Sequence, residues 1–183
     1  MPDGGRIMNK NYPLKYCQAC GTKLTVQEFH AEGPVPYCPS CGEPRFPMYN
    51  VAVSMIVINE QNQKILLIKQ YNKDFFVLVA GYVNRTESLE HAAARELKEE
   101  TGMTAKRIRF NRTEFFEPSN TLMCNFTVFV SDDSELDPNY EVDSYQWFTF
   151  EEARNNIDPT ILAGRFLNAY LDELESDNNA IEQ

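Results

Sequence analysis

The sequence predicts an α+β fold, a mixed α/β domain preceded by a small four-cysteine metal module. Three observations predict it. Four of the five cysteines fall within residues 15–46, a stretch with several Gly and Pro and little hydrophobic periodicity. After Pro47, short β-rich runs give way to helical patterns. The length of 183 residues suits a small module plus a domain of ordinary size. On these grounds residues 1–14 read as an N-terminal tail, 15–46 as a ribbon, 47–176 as the main domain and 177–183 as a flexible acidic tail. Met1–Ile7, ahead of a second methionine at Met8, are set aside.

About 30 residues of this composition cannot build a hydrophobic core without a staple. Cys17-Gln18-Ala19-Cys20-Gly21 and Cys38-Pro39-Ser40-Cys41-Gly42 are two CxxCG knuckles separated by 17 residues. Each knuckle aims two thiolates at one point, and the glycine permits the tight backbone behind them. Four thiolates at this spacing make a closed tetrahedral site for structural Zn²⁺, held by Cys17, Cys20, Cys38 and Cys41. Two disulfides are the competing arrangement, which a reducing compartment disfavours. His30 reads as an ordinary loop residue, because four cysteines complete the shell. Cys124, alone in an apolar run, reads as a small buried hydrophobe.

The net charge of −10 is unevenly spread. Residues 1–49 hold five Lys/Arg against four acids, +1, so the remainder carries −11. That argues against an extended basic groove for nucleic acid and suits a site in which carboxylates collect divalent cations. An acidic surface that merely confers solubility has the same charge. The near-neutral ribbon points to folding and oligomerisation. No run of about 18 apolar residues and no leader pattern is present, so the expectation is a soluble, cytoplasmic protein with no membrane partner.

The elements follow in order. Val51–Asn59 and Lys64–Gln70 read as strands of a hairpin closed by the polar Glu60–Gln63. Phe75–Val79 is another short strand, ending at Ala80-Gly81. Leu89–Thr101 reads as a helix stopped by Gly102, which tolerates positive φ. Strands are expected at Arg107–Phe116, Leu122–Val130 and Tyr145–Phe150, then a short helix at Glu151–Asn156. The last helix is expected to start with Asp158 as N-cap and Pro159 in its first turn. Leu162, Phe166, Tyr170 and Leu174, with Leu167 and Leu171, give it an apolar stripe. From Glu175 it is expected to fray.

The strongest signal lies on the first helix. At roughly 100° per residue, Glu96 and Glu100 fall near the azimuth of Leu89 and Ala93, and Glu99 near Ala92. Lys98, His91 and Ala94 take the opposite side. A solvated charge run does the reverse. Carboxylates at such spacing repel one another, more so when partly buried. Bound Mg²⁺ or Mn²⁺ would remove that penalty and hold substrate phosphates. Arg95 can reach back to Glu87 and pin the preceding loop, and Gly81 is expected to form a tight strand-to-loop turn.

Gly81-x5-Glu87-x7-Arg95-Glu96-Leu97-Lys98-Glu99-Glu100-Thr101-Gly102-Met103 matches the Nudix box at every position. With a four-Cys ribbon ahead of it, the chain resembles the NADH pyrophosphatase family of Nudix hydrolases. The resemblance runs from Cys17 to the C-terminal helix and implies a Nudix α/β/α sandwich with a mixed sheet. It implies Glu96, Glu99 and Glu100 as catalytic Mg²⁺ or Mn²⁺ ligands, with Gly81, Glu87, Arg95 and Gly102 shaping the box. Glu141, six residues before Trp147-Phe148, matches a family acid and is a fourth candidate ligand. A solvated loop residue is its alternative.

The family's substrate signature, Ser-Gln-Pro-Trp-Pro-Phe-Pro-x-Ser-Leu-Met, aligns with Thr113-Glu114-Phe115-Phe116-Glu117-Pro118-Ser119-Asn120-Thr121-Leu122-Met123. Phe116 and Met123 fit as substrate-binding residues. Glu114 replaces Gln and the Pro-Phe-Pro centre is lost, which opens the choice of dinucleotide. Tyr82 matches an aromatic that stacks on the nicotinamide ring, and Ile161-Leu162-Ala163 resembles a segment near the adenine site. The implied reaction is hydrolysis of NADH or NAD⁺ to AMP and a nicotinamide mononucleotide by a homodimer. ADP-ribose, a nucleotide sugar or NAD-capped RNA are alternative substrates. A non-catalytic nucleotide sensor is the rival of a different class, and it predicts lost box acids.

Overall fold

Residues 14–29, 32–46 and 48–181 are described in the computed structural model, so His30 lies outside the described residues. The chain divides into two compact units between Tyr49 and Asn50. In the first unit, β1 (Thr25–Glu28), β2 (Pro34–Cys38) and β3 (Glu43–Pro44) form an antiparallel sheet in that order. The knuckles flank it with matching turns. Gly21 N–H donates to Cys17 O at 2.7 Å and Gly42 N–H to Cys38 O at 2.9 Å, with both glycines at positive φ (74° and 73°). Glycine alone adopts that conformation without steric cost.

The second unit is built on β4 (Asn50–Asn59), whose continuous apolar run is buried on both faces. One edge pairs in parallel with β8 (Thr121–Val130), and β7 (Arg107–Phe116) closes that side antiparallel. The other edge is shared. Ala52–Met55 pair with β6 (Val79–Tyr82), whereas Val57–Asn59 pair with β5 (Lys64–Gln70), which carries β9 (Val142–Phe148) outside it. Strand side chains alternate faces, so β4 serves two cores. Val53, Met55 and Val57 pack with Ala93 and Leu97 of α1 (Leu89–Thr101). Ile56 and Ile58 pack with Ala153 of α2 (Phe150–Asn156) and with Phe166, Leu167 and Tyr170 of α3 (Leu162–Ile181). The result is the expected mixed sheet between helical layers.

Several expected boundaries move. The strand read at Phe75–Val79 is β6, at Val79–Tyr82, because the open edge of β4 lies opposite those residues. Val77 makes only a bridge to Ile68, and Phe76 one to Ile157. β9 begins at Val142 rather than Tyr145 and stops at Phe148. Thr149 there starts α2 with a reciprocal capping box to Glu152. Asp158 does not cap α3. Its carboxylate accepts the Thr160 N–H at 2.8 Å, a local turn that competes with helix, and α3 starts at Leu162. Helix α3 then continues to Ile181, beyond the Glu175 where fraying was expected.

Candidate active site

Ser88 caps the N-terminus of α1 by accepting the His91 N–H, and Gly102 (φ 74°) ends the helix with its N–H on Lys98 O. Between these caps the acids differ by position. The buried sector is centred on Ala93 and Glu100 and holds Ala92, Leu97 and Thr101 as well. Glu100 is 4% exposed. The Glu96 side chain keeps 13% of its surface and Glu99 55%. Glu99 therefore sits at the rim of the sector, not inside it as the Ala92 azimuth suggested.

Arg95 organises this rim with all five N–H groups. Its Nε and Nη2 grip the Glu87 carboxylate at 2.8 Å each. Nη1 reaches Glu96 at 2.7 Å and Glu99 at 3.0 Å, and Nη2 also donates to Tyr82 O at 3.0 Å. A planar fork suits such bidentate binding, which lysine cannot reproduce. The guanidinium, with the Asn84 N–H, pulls the Glu87 carboxyl down to about 2. Glu87 is thereby a fixed anion that ties the 83–88 loop to the helix.

Gly81 has a role other than the expected turn. It lies inside β6 paired with Val53, and a Cβ there would overlap the Glu96 carboxylate. Its hydrogen is what lets the helix acid approach the strand. Gly102 needs its positive φ, and a Cβ there would also meet the Glu135 carbonyl at 2.8 Å.

Glu96, Glu100 and Glu141 line one cleft of about 550 Å³ with Tyr82, Phe116, Met123 and Leu162. Glu99 is not among its lining residues; its carboxylate faces Arg95. Burial, with Glu96 and Glu141 nearby, pushes the Glu100 carboxyl up to about 8, against a hydrogen bond of 2.9 Å from the Gln70 side chain. Three acids facing one cleft without a cation are mutually repulsive. Hard divalent ions with oxygen ligands fit that donor set. Sequence reading missed Gln70 and Tyr71. Tyr71 lines the same cleft, and its hydroxyl lies 3.5 Å from Glu141. Neither residue belongs to a spaced motif, so no pattern marked them.

In the ribbon, the four Sγ atoms of Cys17, Cys20, Cys38 and Cys41 lie within 4.8 Å of one another. Separations of 3.9 Å (Cys17–Cys41), 3.5 Å (Cys20–Cys38) and 3.4 Å (Cys20–Cys41) bracket the roughly 3.8 Å that tetrahedral Zn–S bonds of about 2.3 Å impose. All four are free thiols. Arg45 Nε donates to Cys17 Sγ at 3.2 Å and Cys41 N–H to Cys38 Sγ at 3.4 Å. Such donors stabilise thiolates, and the cluster can hold a metal ion.

A helix carrying acids beside an α/β/α mixed sheet, with an aromatic-lined cleft before it, defines a class. Residues 48–167 match the family model described as NUDIX domain, and the chain belongs to that family. The NAD-capped RNA hydrolase NudC of Deinococcus radiodurans is 30% identical over 159 residues, which cover 84% of this chain and 55% of that protein. The protein of that name from Vibrio parahaemolyticus is 28% identical over 171 residues, covering 90% and 60%. The chain thus spans 55–60% of the length of these two relatives. A NUDIX hydrolase from Nitrosomonas europaea superposes with a TM-score of 0.58 at 22% identity, over 85% of this chain and 91% of that one. The NUDIX domain of Shewanella oneidensis NrtR, crystallised with ADP ribose, gives 0.59 at 18%, over 75% and 94%. Both share the fold. Among the described residues no helix is long and apolar enough to cross a membrane.

Proposed function

We propose that this chain is a divalent-cation-dependent hydrolase of the diphosphate linkage in NAD-type dinucleotides. The observation that carries the reading is the convergence of Glu96, Glu100 and Glu141 on a cleft that Tyr82, Phe116 and Met123 also line. With Glu99 beside them, these acids would hold Mg²⁺ or Mn²⁺. Such ions neutralise diphosphate oxygens and lower the pKa of bound water.

The chain's own residues do the rest. Arg95 Nη1 holds both Glu96 and Glu99, and Gln70 orients Glu100. A cleft carboxylate accepts the proton of the water that attacks one phosphorus in line, and the other phosphate leaves. With NADH or NAD⁺ the products are AMP and a nicotinamide mononucleotide. Tyr82 and Phe116 offer ring faces for the bases, and Met123 offers a polarisable wall. The ribbon thiolates would bind Zn²⁺ structurally, and a cytoplasmic homodimer completes the reading.

The relatives are named for NAD-capped RNA, and one fold neighbour was crystallised with ADP ribose. Both ligands carry the same adenosine diphosphate element, so capped RNA and ADP-ribose are the next substrates to compare. A non-catalytic sensor is not favoured, because every box acid is present. A product assay across NADH, NAD⁺, ADP-ribose, nucleotide sugars and NAD-capped RNA with Mn²⁺ tests the proposal. Release of AMP from NADH or NAD⁺ supports it, and no cleavage of any of them contradicts it.

A further inference from the structure

A second cavity, of about 320 Å³ and mostly apolar, adjoins the acidic cleft. Tyr71, Ala80, Phe116, Met123 and Leu162 line both. Tyr71 is the unusual one. It and Asn72 follow each other in the left-handed region, at φ 56° and 55°. Asparagine tolerates that region, whereas a bulky aromatic is an outlier there. Tyr71 is nonetheless 63% exposed as a residue, so core packing does not hold it in place.

The corner is tied down by acids. A register shift between Lys69 and Gln70 skips Asp143 in the pairing of β5 with β9. Gln70 then bonds Glu100, the Tyr71 hydroxyl makes a long contact to Glu141, and the Asn72 N–H donates to Asp143 at 2.6 Å. Three consecutive residues thus reach three acids from two separate parts of the chain. Strain kept at such a point, with an exposed tyrosine to show for it, belongs to function rather than stability.

We propose that Tyr71 is a specificity-determining residue: its ring is the shared wall that selects a planar base in the apolar cavity when a phosphate occupies the acidic cleft. Its hydroxyl also acts as a positioning group for Glu141. This rests on the diphosphate reading of the cleft, yet it is testable without turnover.

The experiment compares Tyr71→Phe, Tyr71→Leu and Tyr71→Gly with wild type. AMP affinity is measured by calorimetry with Mn²⁺ present, Tm by scanning, and kcat and KM with NADH and Mn²⁺. Phe keeps the ring, so AMP affinity and KM hold while kcat falls about two- to tenfold, the range of one hydrogen bond. Leu and Gly weaken AMP binding about tenfold or more, within the range for a lost aromatic stacking partner. Gly also raises Tm, because it relieves the positive φ, which a structural role for Tyr71 would not produce. Unchanged AMP affinity in Tyr71→Leu overturns the proposal, as does absence of AMP binding by wild type. A wild type that binds AMP but cleaves nothing defeats the hydrolase reading alone, and the affinity series still decides Tyr71.

Discussion

The Glu96 carboxylate occupies the space that a side chain at Gly81 would need. Strand β6 and helix α1 are thereby joined at one atom-sized gap, and the gap sets where the acid stands. Gly81→Ala should push Glu96 off its position while leaving the core untouched. Displacements of about 1 Å at a reacting centre cost on the order of 10²-fold. We expect that loss in kcat with Tm nearly unchanged, measured by NADH turnover and calorimetry. Turnover within twofold of wild type would mean that the close approach has no catalytic meaning.

Glu87 and Arg95 predict the acid limb of stability. The carboxyl is held near 2 in the folded chain, against an ordinary 4.5. A depressed pKa means that the native state binds fewer protons than the unfolded chain between these values. The pair's contribution is therefore complete above about 4.5 and disappears as pH falls through about 2. Glu87→Gln should lower stability at neutral pH and flatten the loss on acidification. Urea titrations at stepped pH read both effects.

Glu100 has the opposite sign. Its carboxyl is raised to about 8, so the metal-free native state binds the extra proton between about 4.5 and 8. Stability of the metal-free protein should then fall as pH rises across that window, and Glu100→Gln should flatten the fall. Added Mn²⁺ at about pH 8 should raise the Tm of wild type and leave that of Glu100→Gln unmoved. A wild-type Tm that ignores Mn²⁺ would remove the acid from the cation site.

The ribbon offers a prediction on its own. Cys38 is fully buried among the four sulfurs, and structural zinc in small modules contributes on the order of 10–16 kcal/mol to folding. Elemental analysis should find one equivalent of zinc in the wild type and none in Cys38→Ser. The substitution should also expose the amides of β1 and β2 to hydrogen exchange. Retained protection would show that the sheet folds without the ion.

Much of this was legible in the residue order. Helix α1 could be read because the apolar spacing and the Gly102 stop both act locally, and the structure adds Ser88 as its N-cap. The cysteines and the box were likewise fixed spacings within short stretches of chain. What could not be read was decided by partners far along the chain. β6 sits at Val79–Tyr82 because β4 leaves an edge open there, and no local pattern states where that edge lies. Asp158 looked like a cap but closes its own turn on Thr160. Gly81 was marked as important for the wrong reason, since its constraint is a side chain fifteen positions later. Gln70 and Tyr71 reach Glu100 and Glu141 only through tertiary structure.

The central claim is that the helix acids hold divalent ions for a diphosphate. Manganese titration followed by electron paramagnetic resonance tests it most directly, on wild type and on Glu96→Gln, Glu99→Gln and Glu100→Gln. Saturable binding in wild type, weakened at least tenfold in each variant and accompanied by a 10²–10³-fold drop in turnover, is the expected result, on the order of one lost electrostatic group in a preorganised site. Manganese affinity unchanged by all three substitutions would contradict it.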